Sequence, residues 1–160
     1  MIQILNSSLS FGSSESYCSL GNKADYTVVH FCKSFFEKHA NSNKILSIQK
    51  NIYEYKCELY VNIIDESDPS YFKLEIFKDV ITWLNAREKV FIHCDYGQSR
   101  SPSLCMLYGS KVLKVLPKDF LDCIRVMKSI QPDFVTPSGI TKFLKKNWNN
   151  FDQLTKTIHN

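Results

Sequence analysis

The distribution of apolar and polar positions along the chain predicts strands and helices that alternate before a final run of helices. Short apolar runs rich in β-branched and aromatic residues predict strands at residues 26–31, 45–48, 58–64 and 89–93. Apolar positions spaced three and four apart predict helices at residues 32–39, 71–87, 101–116, 117–130 and 138–148. The serine-rich residues 7–19 are predicted to form a loop. This order predicts an α/β fold, with a small, mostly parallel central sheet flanked by helices.

Composition predicts one folded domain over residues 1–160. The chain is 44% apolar and 22% charged, with 5 Gly and 5 Pro, which excludes a disordered or low-complexity protein. The net charge is only +4 and the lysines are scattered, so no nucleic-acid partner is expected. No apolar run reaches the roughly 20 residues that span a bilayer, so no membrane association is expected. The sequence leaves the oligomeric state open.

The positions of the cysteines indicate the redox state of the compartment in which the protein is expected. Cys32, Cys105 and Cys123 lie in apolar segments, and the chain is too long to need disulfides in place of a core. No basic residue followed by an apolar block marks a secretory signal near the start. The sequence therefore predicts a cytoplasmic protein with free thiols, most of them in the core.

The segment with the clearest chemistry is V-F-I-H-C-D-Y-G-Q-S-R-S-P-S, at residues 90–103. It joins a predicted strand to a predicted helix, whose first turn contains Pro102. A strand-to-helix turn can direct several backbone N–H groups at one anion, with the positive end of the helix behind them. Arg100 adds a planar fork for two phosphoryl oxygens, and Cys94 places a nucleophile in the same turn. The pattern therefore predicts a phosphate site with a reactive thiol.

The spacing of Cys94 and Arg100 alone is weak, because chance gives such a pair in roughly one chain in nine of this composition. The surrounding His93, Gly97 and Ser101 make the combination far rarer. The alternative is that Cys94 is an ordinary buried core thiol.

The sequence H-C-D-Y-G-Q-S-R-S resembles the signature loop of the cysteine-dependent protein tyrosine phosphatases, above all the dual-specificity branch with H-C-x-x-G-x-S-R-S. The resemblance extends over roughly residues 25–150. Ile63-Ile64-Asp65, followed by an amphipathic helix, is similar to the family's general-acid loop, and residues 127–144 are similar to its terminal segment. The resemblance implies a protein tyrosine phosphatase-like fold, with a phosphate-binding loop between strand and helix.

The resemblance also implies a role for each residue of the loop. Cys94 would be the nucleophile that forms a phosphocysteine, and Arg100 would bind the phosphoryl group. Ser101 would hydrogen-bond the sulfur as it departs, and His93 would order the loop. The remaining substrate-binding groups would be the backbone N–H groups of Asp95, Tyr96, Gly97, Gln98, Ser99 and Arg100. The family's chemistry requires no metal and no cofactor.

A general acid is needed to protonate the leaving oxygen. Asp65, Glu66 and Asp68 lie together after the predicted strand. Asp65 directly follows the strand, where the family's acid stands, and its distance in sequence from Cys94 suits the family better than that of Asp68. Asp68 remains the alternative, and all three could simply be solvated loop charges.

Two loop residues depart from the family pattern. Asp95 is expected to face outward and to favour substrates with basic neighbours, since an inward carboxylate would repel a phosphate dianion. Gln98 stands where protein phosphatases often have an aliphatic residue. The loop also lacks the lysines of lipid-directed relatives. The expected function is a phosphoprotein phosphatase that acts on phosphotyrosine and on phosphoserine and phosphothreonine. The alternatives are an RNA 5′-triphosphate, a phosphosugar or a phosphoinositide as substrate, or a phosphate-binding module without activity.

Overall fold

The computed structural model describes residues 1–5, 7–43, 51–85 and 87–153. Its strands are β1 (Ile2–Gln3), β2 (Leu9–Ser13), β3 (Thr27–Phe31), β4 (Ile52–Tyr55), β5 (Glu58–Val61) and β6 (Val90–Cys94). Its helices are α1 (Ser14–Cys18), α2 (Lys33–Asn43), α3 (Leu74–Leu84), α4 (Arg100–Lys111), α5 (Phe120–Ile130) and α6 (Gly139–Asn147). Within the described ranges, no helix combines the length and the apolar character that crossing a bilayer requires.

The strands form one six-stranded mixed sheet in the order β1-β2-β6-β3-β5-β4. The central pairs β2/β6, β6/β3 and β3/β5 are parallel, and the two edge strands β1 and β4 pair antiparallel with their neighbours. The predicted α/β fold with a mostly parallel sheet is confirmed. Strand β6 lies between β2 and β3, so its C-terminal end is flanked by two parallel neighbours.

The two faces of the sheet carry different cores because successive strand residues point to opposite sides. Helices α3 to α6 pack with strand residues such as Val29 and Ile92 in one large core cluster. On the other side, Val28 and Phe91 pack with Leu20 in a smaller cluster. Helix α4 is buried along its whole length. Helix α4 is the next element after β6. Because it is buried, it fixes the short β6–α4 turn against the sheet.

The predicted strands at residues 26–31, 58–64 and 89–93 and all five predicted helices are present, with bounds that differ by a few residues. The helix predicted at residues 101–116 ends early, because α4 stops at Lys111. The strand predicted at residues 45–48 lies outside the described residues. The prediction of a loop at residues 7–19 is wrong, because this segment forms β2 and α1. Strand β2 has the sequence LSFGS, and its small residues hid a strand that is almost wholly buried.

The expected free thiols are present. All six cysteines are unpaired, and Cys32, Cys94, Cys105 and Cys123 are buried. Cys18 and Cys57 are exposed.

Candidate active site

The candidate site lies at the C-terminal ends of the three parallel strands β2, β6 and β3. In the sheet register, Cys94 stands opposite Ser13 of β2, and His93 stands opposite His30 of β3. Residues 95–99 turn the chain back, and α4 begins at Arg100. The crevice at the carboxyl ends of parallel strands is the usual position of ligand sites in α/β sheets.

The sulfur of Cys94 is the point at which three hydrogen-bonding groups meet. The backbone N–H groups of Gly97 and Ser101 donate to Sγ at 3.3 and 3.4 Å. The Ser101 hydroxyl lies 3.3 Å from Sγ and donates to the Gly12 carbonyl at 3.0 Å. Two N–H groups directed at one sulfur, at the N-terminus of a buried helix, suit a negatively charged atom.

Helix α4 starts without a side-chain cap, unlike α5 and α6. Asp119 caps α5 and Ser138 caps α6, each accepting backbone N–H groups of the first turn. At α4 the N-cap residue Ser99 instead donates its hydroxyl to Asp65. The Ser101 N–H of the first turn is thereby left to bond the Cys94 sulfur.

Gly97 is required by the path of the turn. Its φ of +75° lies in the left-handed region, and a Cβ there would lie 2.8 Å from the Gly12 carbonyl carbon and from the Ser13 nitrogen. The turn therefore packs directly on the backbone at the end of β2. This contact explains the small residues that end β2.

The guanidinium of Arg100 is buried, and its three nitrogens have different neighbours. Its Nη1 donates to the Ile63 carbonyl at 3.1 Å, and its Nη2 donates to Asp95 Oδ2 at 2.7 Å. Its Nε lies 3.5 Å from Asp65 Oδ2 and has no hydrogen-bond acceptor among the described residues. A buried N–H without an acceptor is costly, which is typical of a group that binds a ligand.

The structure distinguishes the two candidate acids. Asp65 accepts the Ser99 hydroxyl at 3.0 Å and lies beside Arg100, so it belongs to the same cluster as Cys94. Asp68 is fully exposed and caps a short 3-10 turn by accepting the Ser70 N–H at 2.8 Å. This hydrogen bond lowers the pKa of Asp68, so a smaller fraction of this carboxyl is protonated at neutral pH. Asp65, and not Asp68, therefore lies beside Arg100.

The expectation that Asp95 faces outward is wrong. Its carboxylate bonds Arg100 through Oδ2 and accepts the Ser34 hydroxyl through Oδ1, and it is only 32% exposed. The buried guanidinium draws the carboxylate inward, because a buried cation needs a counter-charge.

The outer part of the turn is held by residues 131–135. Gln98 donates its side-chain amide to Asp133 at 2.8 Å, and its carbonyl accepts the Val135 N–H at 2.8 Å. Gln131 donates to the Gly97 carbonyl at 3.0 Å. Tyr96 makes the exposed tip of the turn, with 79% of its surface accessible. Residues 131–135 follow the helix predicted at residues 117–130, and no sequence pattern indicated that they brace the turn.

Behind the turn, His93 belongs to a buried network that sequence analysis did not find. His93 Nε2 lies 2.6 Å from His30 Nδ1, and His30 Nε2 lies 3.2 Å from Glu58 Oε2. Glu58 also accepts the hydroxyls of Tyr60 at 2.6 Å and Tyr17 at 3.2 Å. On its other side, His93 Nδ1 lies 3.5 Å from the Ser14 hydroxyl, which donates to the Cys94 carbonyl. The network therefore joins three strands to the base of the turn.

Burial sets the charge of this network. It lowers the pKa of both His30 and His93, so both rings are neutral at neutral pH. Burial raises the pKa of Glu58, but hydrogen bonds from His30, Tyr60 and Tyr17 outweigh it and lower that pKa to about 2. A neutral His30 that donates from Nε2 to this carboxylate must accept at Nδ1, so His93 donates from Nε2. Glu58 thereby fixes the orientation of the His93 ring.

A signal for this network was present in the sequence as a histidine and a glutamate on neighbouring apolar strands.

Of the other histidines, His39 stacks on Tyr60, with ring centroids 4.1 Å apart. His159 lies outside the described residues. No group of three or more metal-ligating side chains occurs within residues 1–5, 7–43, 51–85 and 87–153.

The structure thus brings together Cys94, Arg100, Ser101, Asp65 and His93, each of which the sequence singled out. Comparison with models of known protein families and with curated proteins gives no significant match.

Proposed function

We propose that this protein is a cysteine-dependent phosphoprotein phosphatase of the small dual-specificity type, with a protein tyrosine phosphatase-like fold. The observation that carries the proposal is the β6–α4 turn. Within it, two N–H groups converge on the Cys94 sulfur, and the buried Arg100 of the same turn retains an unpaired Nε–H. A nucleophile and a cationic fork on one turn are the parts that phosphoryl transfer needs.

The first half-reaction transfers the phosphoryl group to sulfur. The Cys94 thiolate attacks phosphorus, so the S–P bond forms as the P–O bond of the ester breaks. Arg100 and the N–H groups of the turn hold the equatorial oxygens, on which negative charge is concentrated. Asp65 gives its proton to the leaving oxygen, so the product departs as a neutral alcohol or phenol.

The second half-reaction restores the enzyme. Asp65, now a carboxylate, takes a proton from water as that water attacks phosphorus. The O–P bond forms, the S–P bond breaks, and the sulfur leaves as a thiolate. Ser101 lies 3.3 Å from the sulfur and can turn its hydroxyl proton from Gly12 to the departing thiolate.

The proposed substrates are proteins phosphorylated on tyrosine, serine or threonine.

Hydrolysis of p-nitrophenyl phosphate in the presence of EDTA tests the proposal. We expect metal-independent turnover that vanadate inhibits and that Cys94→Ser abolishes. Cys57→Ser, at an exposed free thiol, is the matched control and should retain activity. A panel of phosphopeptides, RNA 5′-triphosphate, phosphosugars and phosphoinositides then identifies the substrate class. Phosphate binding without turnover of any of these would instead support a binding module.

A further inference from the structure

Two carboxylates lie against the edge of Arg100 that would hold a phosphoryl group. Nε and Nη2 form the edge of a guanidinium that can donate to two oxygens of one anion. Asp65 Oδ2 lies 3.5 Å from Nε, and Asp95 Oδ2 lies 2.7 Å from Nη2. The carboxylate oxygens thus lie where two phosphoryl oxygens would bind. A substrate must exchange with them.

The two carboxylates differ in what they can do after that exchange. Asp65 is the acid of the proposed reaction, and it lies 3.5 Å from Nε without a hydrogen bond to it. Asp95 has no such role, and its second oxygen accepts the Ser34 hydroxyl at the start of α2. Burial raises the pKa of Asp95, but the hydrogen bonds from Ser34 and Arg100 lower it overall. Asp95 is therefore an anion before a substrate binds, and the Ser34 hydroxyl still bonds it when Arg100 binds the phosphate.

An anion displaced from its cation next to a phosphate dianion is unfavourable unless another positive charge replaces Arg100. The neighbouring Lys33 has its Nζ 3.5 Å from Glu37, to which it is paired. We propose that Asp95 is a specificity-determining residue, which selects phosphopeptides with a basic residue next to the phosphorylated one. The phosphoryl group takes Nη2 from Asp95, and Asp95 takes the cation of the substrate. This inference rests on the proposed phosphatase function.

A cavity beside the site has room for the residues that flank the phosphorylated residue of such a substrate. It has a volume of about 360 Å³ and includes Lys33 and Ile63 in its wall. Ile63 accepts Arg100 Nη1, and Lys33 precedes the Ser34 that bonds Asp95, so the cavity adjoins the Asp95 side of the clamp. The wall also carries Lys73 and Glu37, and Glu37 is paired with Lys33. A basic side chain would therefore be selected by Asp95 and not by the charge of the cavity wall.

Peptide turnover provides the first test. Phosphotyrosine peptides that differ only in Lys or Gln, placed directly before or directly after the phosphotyrosine, are compared by kcat/KM at one salt concentration. For the wild type we expect at least about a tenfold preference for one of the Lys peptides over its Gln partner. Asp95→Asn and the smaller Asp95→Ser should reduce that ratio to within about threefold, chiefly by improving the Gln peptide. Asp122→Asn removes an exposed carboxylate of α5 that pairs with Arg125 rather than Arg100, and it should keep the wild-type ratio.

Binding of inorganic phosphate provides the second test, which does not depend on turnover. Calorimetry should give a Kd about tenfold lower for Asp95→Asn than for the wild type or Asp122→Asn. A peptide ratio that Asp95→Asn leaves unchanged, or equal phosphate affinity in all three proteins, would overturn the proposal. If no peptide is hydrolysed but the shift in phosphate affinity is present, the phosphatase function fails while the competition between Asp95 and phosphate for Arg100 is supported.

Discussion

The two sides of the β6–α4 turn differ in how completely their polar groups are paired. On the inner side, His93 bonds His30, which bonds Glu58, and Glu58 accepts two tyrosine hydroxyls as well. On the pocket side, Arg100 has an Nε–H without an acceptor among the described residues, and two carboxylates lie close to it. The first side is complete as it stands. The second side has capacity for another anion.

This difference separates the part that holds the turn from the part that would act. A fully paired buried network is rigid because any displacement would leave polar groups unpaired. An unpaired buried donor such as Arg100 Nε can bind a ligand without first losing a hydrogen bond. Substitutions on the pocket side should therefore change turnover, and substitutions in the network should change stability.

The largest effect is expected for Arg100→Lys. Lysine keeps the charge but cannot donate two parallel hydrogen bonds to one phosphoryl group. We expect kcat/KM for p-nitrophenyl phosphate to fall at least about 100-fold, on the order of 3 kcal/mol of transition-state stabilisation. Steady-state kinetics measures this, with Arg125→Lys as the control at an exposed position. Activity close to the wild type would show that Arg100 does not clamp the substrate.

Asp65→Asn should have the next largest effect, and it should depend on the substrate. An alkyl phosphate needs a proton for its leaving oxygen, so its kcat should fall about 100-fold. A p-nitrophenolate leaves more easily, so its kcat should fall much less. Asp68→Asn is the matched control, because that carboxylate only caps a 3-10 turn. If Asp68→Asn shows the leaving-group dependence and Asp65→Asn does not, the assignment of the acid is wrong.

Glu58→Gln addresses the inner side and should chiefly affect stability. We expect its free energy of unfolding at neutral pH to be lower by on the order of 2 kcal/mol, measured by urea denaturation. The folded pKa of Glu58 is about 2, below its ordinary 4.5, so its carboxylate stabilises the fold above about pH 4.5 and loses this contribution as the pH falls towards 2. The difference in free energy of unfolding between the wild type and Glu58→Gln should therefore become smaller below pH 4.5.

Glu54→Gln provides the control for that measurement. Glu54 lies on the neighbouring strand β4 and pairs with Arg87 at the surface. Loss of this surface ion pair should lower the free energy of unfolding by less than about 1 kcal/mol. Equal effects of the two substitutions would contradict the distinct role of the inner network.

The sequence predicted the β6–α4 part of the fold because its signals are local. A strand, a glycine turn and a proline-started helix follow one another within residues 90–111. Strand β2 could not be predicted in the same way. Its small residues match the close approach of Gly97 to Gly12, and that contact joins segments far apart in sequence. The pattern of a single segment does not contain such a contact.

The same distinction explains the site. Cys94, Arg100 and Ser101 could be named because one motif contains them. The pairing of Asp95 with Arg100 depends on the backbone path of the turn, which a sequence pattern does not give. The link from His93 to Glu58 depends on the register of three strands. Both require the assembled sheet.

Trapping of the covalent intermediate tests the central claim most directly. Protein mixed with p-nitrophenyl phosphate is quenched in acid during steady-state turnover, and its peptides are examined by mass spectrometry. The account predicts one phosphoryl group on Cys94, on no other cysteine, and none in Cys94→Ser. Turnover with the phosphoryl group on a different residue, or turnover that persists in Cys94→Ser, would contradict it.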